Sequence, residues 1–592
     1  MPHVITRSCC NDATCVAVCP VDCIHPTPDE PDYRQAEMLY IDPANCIDCG
    51  ACVEVCPVDA ISAADELAPA ASRYVEINAR YFADRPYPRR LAEAPSIGSA
   101  GGDPAGGGLA GRAGAVGWVG GPMVAIVGSG PAACYAAAEL LAAAPGARVR
   151  LFERLPAPWG LVRYGVSPQH PDTKAVSRLF QRTAAGPDLT LHLNVEIGRH
   201  LSHAELLAHH HAVLYAVGAP SDRPLGIPGE QLPGSHSATD FVAWYNGHPD
   251  HADQRFDLSG DRAVVVGNGN VALDVARILV ADPAALAGTD IADHALAALR
   301  GSRIREVVLL GRRGPAQAAF SVAELLSLSQ LEGFELLVDP LPVAEQPSDP
   351  IAALKAGLIA ELAARPPGRA GAAGEAGSDH ATNVAMLSSS VSKATLLARI
   401  RLRFLSSPLE LLGAERVTGL LVGRNELVDG PDGRPVPRPT GHTERLDCGL
   451  VLRAVGYRGT PVPGLPFDER TGTLPNDGAR VIDPATGVPL PGCYAAGWIK
   501  RGPSGVIGTN RRCAQETVGQ LLADHAAGRL PEPGGDAAGL AELLASRQPE
   551  VVGYRGWKAI DAVERARGRE QGRPRVKLVR RADLLEVARV LG

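Results

Sequence analysis

Nine of the chain's thirteen cysteines fall within its first 56 residues, and seven of those nine sit in two runs of one spacing. The second run reads Cys46-x2-Cys49-x2-Cys52-x3-Cys56-Pro57. The first reads Cys9-x2-Asp12-x2-Cys15-x3-Cys19-Pro20, with an aspartate where the second thiolate would stand. Thiolates two residues apart converge on three irons of a cubane only if the loop between them curls tightly, and Gly50 and Ala51 suit that curl. This is the ruler of iron-sulfur ligation, and its chemistry is the transfer of single electrons. A zinc site takes only four ligands, so seven thiolates are too many for one zinc and wrongly spaced for two. Disulfide frameworks of such cysteines belong to short secreted chains.

Where two clusters share one small domain, the fourth cysteine of each run ligates the other cluster. On that rule Cys19, Cys46, Cys49 and Cys52 hold one [4Fe-4S] cluster. Cys9, Cys15 and Cys56 hold the second, with Asp12 facing its fourth iron. A carboxylate is a harder and poorer ligand there than a thiolate, so the second cluster is either a [3Fe-4S] or a labile [4Fe-4S]. Cys10 and Cys23 lie outside the ruler and read as small packed or free thiols. The pattern repeats about 37 residues apart, with Ile24 and Ile61 after each Cys-Pro, which marks residues 1–66 as the two halves of one two-cluster ferredoxin domain.

Further along, Met123-Val124-Ala125-Ile126-Val127 is a buried-strand run, Gly128-Ser129-Gly130-Pro131-Ala132-Ala133 is a GxGxxA loop, and Cys134 to Leu141 is an alanine-rich helix. The strand Val149 to Phe152 then delivers Glu153. In that order the glycines let a backbone approach a pyrophosphate at a helix N-terminus, and the acid accepts from ribose hydroxyls. A second copy follows: the strand Ala263 to Val266, the loop Gly267-Asn268-Gly269-Asn270-Val271-Ala272, a helix from Leu273 to Ala281, and a strand Glu306 to Leu310 that ends in Gly311-Arg312-Arg313. An arginine pair in place of the ribose-binding acid favours a 2'-phosphate, because guanidinium forks bind phosphate bidentately. The two sites read as FAD first and NADP(H) second, the second inserted within the first. Two late strands ending in glycine, Leu450 to Gly456 and Gly492 to Gly497, are expected to return to the FAD domain.

At 592 residues the chain is too long for one core, and its 45% apolar content is ordinary for globular domains. A net charge of -7 gives no electrostatic case for nucleic acid or an anionic membrane, and no apolar run is long enough to span a bilayer. With no leader-like start and a wealth of cysteines set for clusters, a cytoplasmic location is expected. Five segments follow: the ferredoxin domain over 1–66, a linker over 67–121, an FAD domain over 122–225 and 450–530, an NADP domain over 226–449, and a helical extension over 531–592. Within the linker, the 26 residues from Ser96 to Gly121 are Gly/Ala-rich, and a flexible chain of that length spans about 25 to 30 Å.

The segments GSGPAACYAA, LPAPWGLVRYGVSPQHPDTK, YAVGAPSDR, GNGNVALDVARIL, GRRGPAQAAF, VGYRG and GWIKRGPSGVIGTN resemble the adrenodoxin-reductase-type ferredoxin-NADP reductases. The whole chain resembles the bacterial proteins that fuse a ferredoxin to such a reductase, a likeness that reaches from residue 1 to about 525. It implies a multidomain α+β and α/β fold, with two Rossmann-like dinucleotide domains behind the ferredoxin. It implies an enzyme that moves hydride from NADPH to FAD and then single electrons to ferredoxin-type clusters, in its own N-terminal domain or in an external ferredoxin or other acceptor protein. Carried over by residue, it implies that Ala133, Glu153, Leu161 and Ile197 line the FAD, with Trp498 and Gly505-Val506-Ile507 near its reactive ring. Asn268, Gly269, Asn270, Val271, Arg312, Arg313 and Glu324 would hold NADP, and Gly505 would lie between the cofactors. His170 matches the family's histidine near the flavin. The acid that some relatives carry three residues beyond Glu324 is Ser327 here.

Other features read as structural. His209-His210-His211 bridges a helix and a strand, residues 364 to 383 form a Pro/Gly/Ala-rich loop, and Arg399 to Leu405 with Val417 to Leu421 reads as a β-hairpin. Two C-terminal helices are expected, Gly539 to Ser546 and Ala582 to Leu591. A disulfide reductase of the same architecture would need a cysteine pair beside the flavin, which Cys134, Cys448, Cys493 and Cys513 do not form. A subunit feeding a larger iron-sulfur flavoenzyme keeps every motif. A non-catalytic redox sensor leaves the arginine pair unexplained.

Overall fold

The computed structural model describes residues 2–83, 121–331, 333–341, 347, 349–365, 398–431 and 434–592. Most of the expected linker (residues 84–120 of 67–121) and of the loop over 364–383 lies outside those residues.

The N-terminal unit carries its repeat in two antiparallel pairs. His3–Ile5 runs against Ile61–Ala63, and Ile24–His25 against Tyr40–Ile41, with short helices Thr14–Val18 and Ala51–Glu54 between them. The linker, expected to begin at residue 67, does not begin there. Residues Arg73–Phe82 form a helix whose Tyr74, Ile77, Asn78, Tyr81 and Phe82 are buried. Asn78 fixes it: its Oδ1 accepts from Ile5 N (3.2 Å) and Ile41 N (2.9 Å), and its Nδ2 donates to Ile5 O (2.8 Å). One amide side chain thus satisfies backbone groups of both strand pairs, while Tyr81 stacks on Tyr40 with ring centroids 4.3 Å apart. In sequence this helix is a short amphipathic stretch ahead of a proline-rich one, which is why it reads as linker.

Behind it stand two sheets. In the first, Met123–Val127 lies between Ala212–Tyr215 and Arg148–Glu153 in parallel, with Leu189–Leu193 outside and Pro489–Ala495 joining beside Ala212–Tyr215. The second is parallel throughout, in the order Ser235–Ser237, Leu450–Arg453, Arg262–Val266, Glu306–Leu310, Ala398–Arg403, Phe334–Val338. Strands of this kind, buried on both faces, read as unbroken Val/Ile/Leu runs. The strand Leu450–Arg453, expected in the first sheet, is a central member of the second. The chain leaves and re-enters the first domain at a two-stranded crossing, Ser221–Asp222 against Tyr457–Arg458, so the boundary at 449/450 shifts to about 457. The expected hairpin also changes partners. Ala398–Arg403 belongs to the parallel sheet, and the antiparallel unit is Ser406–Leu412, Gly419–Asp429 and Pro435–Asp447.

The C-terminal segment has three helices: Ala537–Arg547, Tyr554–Glu570 and Arg581–Leu591. The middle one escapes sequence reading because its buried face is ionic as well as apolar. Glu564 is fully buried and takes both guanidinium nitrogens of Arg163 (2.9 and 2.5 Å), a third from Arg575 (3.0 Å) and Leu578 N (2.9 Å). Burial opposes its charge, yet Arg163 and Arg575 hold its carboxyl below the usual range. The segment is a strap across both nucleotide domains: Leu193 pairs with Val552 on one side, and Arg573 reaches Thr289 O and Asp293 on the other. No helix among the described residues is long and apolar enough to cross a membrane.

Removing one partner of a buried ion pair strands the other, at about 3–5 kcal/mol. Glu564→Ala should therefore lower the midpoint of denaturant unfolding followed by tryptophan fluorescence. The exposed pair Arg580–Asp253 (2.9 Å) offers a control, since Arg580→Ala should cost less than about 1 kcal/mol.

Candidate functional site

The cysteines gather in two cavities that cross the two runs. Cys19, Cys46, Cys49 and Cys52 line one, with Cys23, Val21, Ile24, Ile41 and Ile47; Cys9, Asp12, Cys15 and Cys56 line the other, with Cys10, Leu39 and Val58. All thirteen cysteines are free thiols. Hydrogen bonding and burial pull these thiols in opposite directions. The Cys23 thiol, 3.4 Å from Cys19, lowers the Cys19 pKa to about 6, whereas burial pushes Cys9 up to about 12. Cys10 and Cys23, expected to stand apart, line the cavities without belonging to either run. Asp12 is buried, and both of its carboxylate oxygens are engaged: Thr14 N donates to Oδ1 (3.2 Å), while Thr14 Oγ1 donates to Oδ2 (2.5 Å), which lies 3.5 Å from Arg511.

The two glycine loops are built alike. Gly128 and Gly267 have φ of 105° and 129°, and a Cβ on either would sit 2.4 Å from Ala216 O or 2.2 Å from Ala454 O, so only glycine lets each loop lie against the end of the neighbouring strand. Each loop opens a helix, Pro131–Ala143 or Asn270–Val280, whose first residue is preceded by Gly130 or Gly269 with no side-chain cap. Free N–H groups at a helix start suit phosphate, and around Gly130 a Cβ would meet nothing within 4 Å. Glu153 ends its strand beside the first loop, accepting from Ser129 N (3.1 Å) and Oγ (2.6 Å). Trp159 Nε1, next to Gly160, is buried without a hydrogen-bond partner among the described residues. Ala133 is fully buried, Ile197 is nearly so and Leu161 is exposed. Trp498 follows Gly497, donates from Nε1 to Ser504 O (3.1 Å) and packs on Tyr457 at 5.1 Å. That bond folds the turn 504–508 against it, with Val506 N donating to Thr509 Oγ1 (3.2 Å) and Ile507 against the core of the first domain.

At the second loop, Asn268 O accepts from Phe320 N (2.8 Å) and Asn270 Oδ1 from Ser321 N (2.8 Å), while Val271 packs against the core. The backbone carbonyls of Arg312 and Arg313 are pinned by Asn425 Nδ2 (2.9 Å) and Leu405 N (3.1 Å). Among the described residues neither guanidinium has a carboxylate partner.

Glu324 is committed elsewhere. Its Oε1 accepts from Arg7 Nε (3.1 Å) and its Oε2 from Arg277 (3.2 Å), and Arg7 also donates to Ser327. His170 joins this group: its Nε2 lies 2.7 Å from Asp274 Oδ1, 3.2 Å from Arg7 and 3.8 Å from Glu324. His170 therefore has a carboxylate partner of its own in Asp274, one helical turn beyond Asn270, while Ser327 accepts from Arg7. Burial raises Asp274 to about 6, against the pull of Arg277 and Arg7. Sequence reading missed Asp274, Arg277 and Arg7. The helical spacing from the glycine loop was a signal for the first two; nothing marked Arg7, which comes from the cysteine domain 163 positions away.

Known proteins now give the arrangement its context. Residues 39–62 match the 4Fe-4S binding domain and residues 122–308 the pyridine nucleotide-disulphide oxidoreductase domain. A probable ferredoxin/ferredoxin--NADP reductase of Mycobacterium tuberculosis is 50% identical over 99% of this chain and 95% of its own length. One of Mycobacterium leprae is 49% identical over 99% and 98%. The solved structure of Mycobacterium tuberculosis FprA in complex with NADPH, 44% identical, covers 79% of this chain and 99% of its own with a TM-score of 0.70. With cysteine cavities at one end, paired glycine loops behind them and this identity along its full length, the chain belongs to the ferredoxin/ferredoxin-NADP reductase family.

Proposed function

We propose that the protein is an NADPH:ferredoxin oxidoreductase in which NADPH binds the second glycine loop, FAD the first, and iron-sulfur clusters the two cysteine cavities. The observation that carries the reading is the arginine pair. Arg312 and Arg313 are held by their backbones directly after Gly311, where a Cβ would lie 2.6 Å from the Asn268 side chain of the second loop, and among the described residues no carboxylate pairs with their guanidinium groups. A 2'-phosphate fits that charge. FAD, when bound, converts a two-electron hydride donor into a source of single electrons, and iron-sulfur clusters carry electrons singly.

The chain's own residues do the rest. Gly130 and the start of its helix receive a pyrophosphate, while Glu153, already oriented by Ser129, accepts from a ribose. Ala133, Leu161 and Ile197 wall the same site, and Trp498 with Gly505-Val506-Ile507 covers its inner end and limits water. Asn268, Gly269, Asn270 and Val271 receive the second pyrophosphate. Cys19, Cys46, Cys49 and Cys52 supply four thiolates for a [4Fe-4S] cluster. Cys9, Cys15 and Cys56 supply three for a [3Fe-4S], since both Asp12 oxygens are engaged by Thr14. His170 holds a proton at Nε2 toward Asp274 and positions the flavin side of the domain junction.

Anaerobic addition of NADPH should bleach the flavin band and change the cluster signals in EPR, a [4Fe-4S] cluster gaining a signal on reduction and a [3Fe-4S] cluster losing one; bleaching with both cluster signals unchanged would reject internal transfer. Charge-assisted bonds contribute about 1.5–3 kcal/mol each, so Arg312→Ala with Arg313→Ala should raise the KM for NADPH by about a hundredfold or more and leave that for NADH nearly unchanged. An equal effect on both would reject the phosphate assignment. Asp274 binds its proton more tightly folded than unfolded, so the parent loses stability as pH rises from about 4 through about 6. Asp274→Asn carries no such loss. The thermal midpoint of the variant minus that of the parent should increase between pH 5 and pH 7.5, and a flat difference would show that Asp274 is ionised throughout.

A further inference from the structure

The cysteine domain is docked in a defined pose on both nucleotide domains. Glu37 joins Lys355 (3.0 Å) and accepts from Val322 N (2.7 Å), Arg7 enters the His170 group, and Arg34 pairs with Glu516 (2.7 Å). The closest approach is at the Asp12 side. Gly508 N donates to Cys10 O at 2.6 Å, and a Cβ on Gly508 would lie 2.3 Å from Cys10 O, Asn11 C and Asp12 N. Arg511, one turn on, donates to Asp12 O (3.2 Å), bonds Thr14 Oγ1 and lies 3.5 Å from the Asp12 carboxylate. Cys10, Val58 and Ala60 share a buried cluster with Tyr135 and Trp159 of the first nucleotide domain. The other cavity looks outward: Cys49 is exposed, as is Ile47, which lines the cavity with it.

We propose that the two cluster sites have fixed and unequal places, and that Asp12 secures them. Standing where a fourth ligand would be, Asp12 is an inter-domain latch on Arg511. It holds the Cys9/Cys15/Cys56 site against the turn 504–508 as the entry site and leaves the Cys19/Cys46/Cys49/Cys52 site as the exit, open to a one-electron acceptor in solution. The head works docked and does not swing away. The proposal rests on the reading that the domain's own clusters receive electrons from the flavin. Each NADPH gives NADP+, one proton and two electrons, and the electrons pass one at a time through the entry site, then the exit site, to two equivalents of acceptor.

The test uses the full-length holoprotein, mixed anaerobically with NADPH and freeze-quenched, with flavin absorbance and cluster EPR read in parallel and dithionite-reduced samples as the control for cluster content. In Arg511→Glu, flavin bleaching should keep its parental rate while reduction of both clusters slows at least tenfold. In Cys49→Ser the entry cluster should still be reduced at the parental rate. In Cys15→Ser the exit cluster should remain reducible by dithionite but be reduced by NADPH at least tenfold more slowly. Parental rates of cluster reduction in Arg511→Glu would overturn the latch, and a parental rate of exit-cluster reduction in Cys15→Ser, or slowed entry-cluster reduction in Cys49→Ser, would overturn the order. If Cys15→Ser does not assemble, Cys49→Ser decides the order and Arg511→Glu the latch. Should the parent bleach its flavin and never reduce a cluster, the oxidoreductase reading itself falls, a result distinct from either.

Discussion

The junction between the two nucleotide domains is built around buried charge, and every other part of the molecule is set by how that charge is paired. Asp290 of the second domain receives Lys174 of the first (2.6 Å) and Lys577 of the C-terminal strap (3.1 Å), and Lys577 also reaches Arg163 O and Asn246. Burial would neutralise Asp290, but the two ammonium groups hold its carboxyl far below the ordinary range. Lone charges at such depth are prohibitively costly, so the three segments must come together or leave an ion stranded. That ties the two nucleotide domains and the C-terminal strap together at one point.

The same logic extends outward. The His170–Asp274 contact sits at the junction, and the cysteine domain completes it by inserting Arg7 between Glu324 and His170. An acid at position 327 would add a third carboxylate to this cluster; Ser327 instead accepts from Arg7. Docking of the head and the electrostatics of the reductase site are therefore one system, coupled by a single guanidinium.

What was legible in the sequence was local and repetitive. The cysteine ruler, the two strand–glycine–helix units and the arginine pair each lie within a few dozen residues, and each is dictated by backbone geometry or ligand reach that leaves a fixed spacing. The strand Leu450–Arg453 was misplaced because a buried apolar run does not say which of two parallel sheets it joins; only its register beside Arg262–Val266 decides that. The helix Tyr554–Glu570 was missed because Asp561 and Glu564, buried by their arginine partners, break the apolar period by which helices are found. Arg7, Arg511 and Lys577 matter through partners hundreds of positions away, and no spacing rule reaches so far.

At the tightest point of the docked head, Cys10 and Gly508 meet through main-chain atoms on both sides. The bond itself uses only main chain, but the Cys10 side chain beneath it is buried among residues of the first nucleotide domain, and any side chain at 508 would collide with the backbone from Cys10 to Asp12. Both halves are therefore held to their residues at this point, a small buried thiol on one side and a bare main chain on the other, so the fit can change only if both change together.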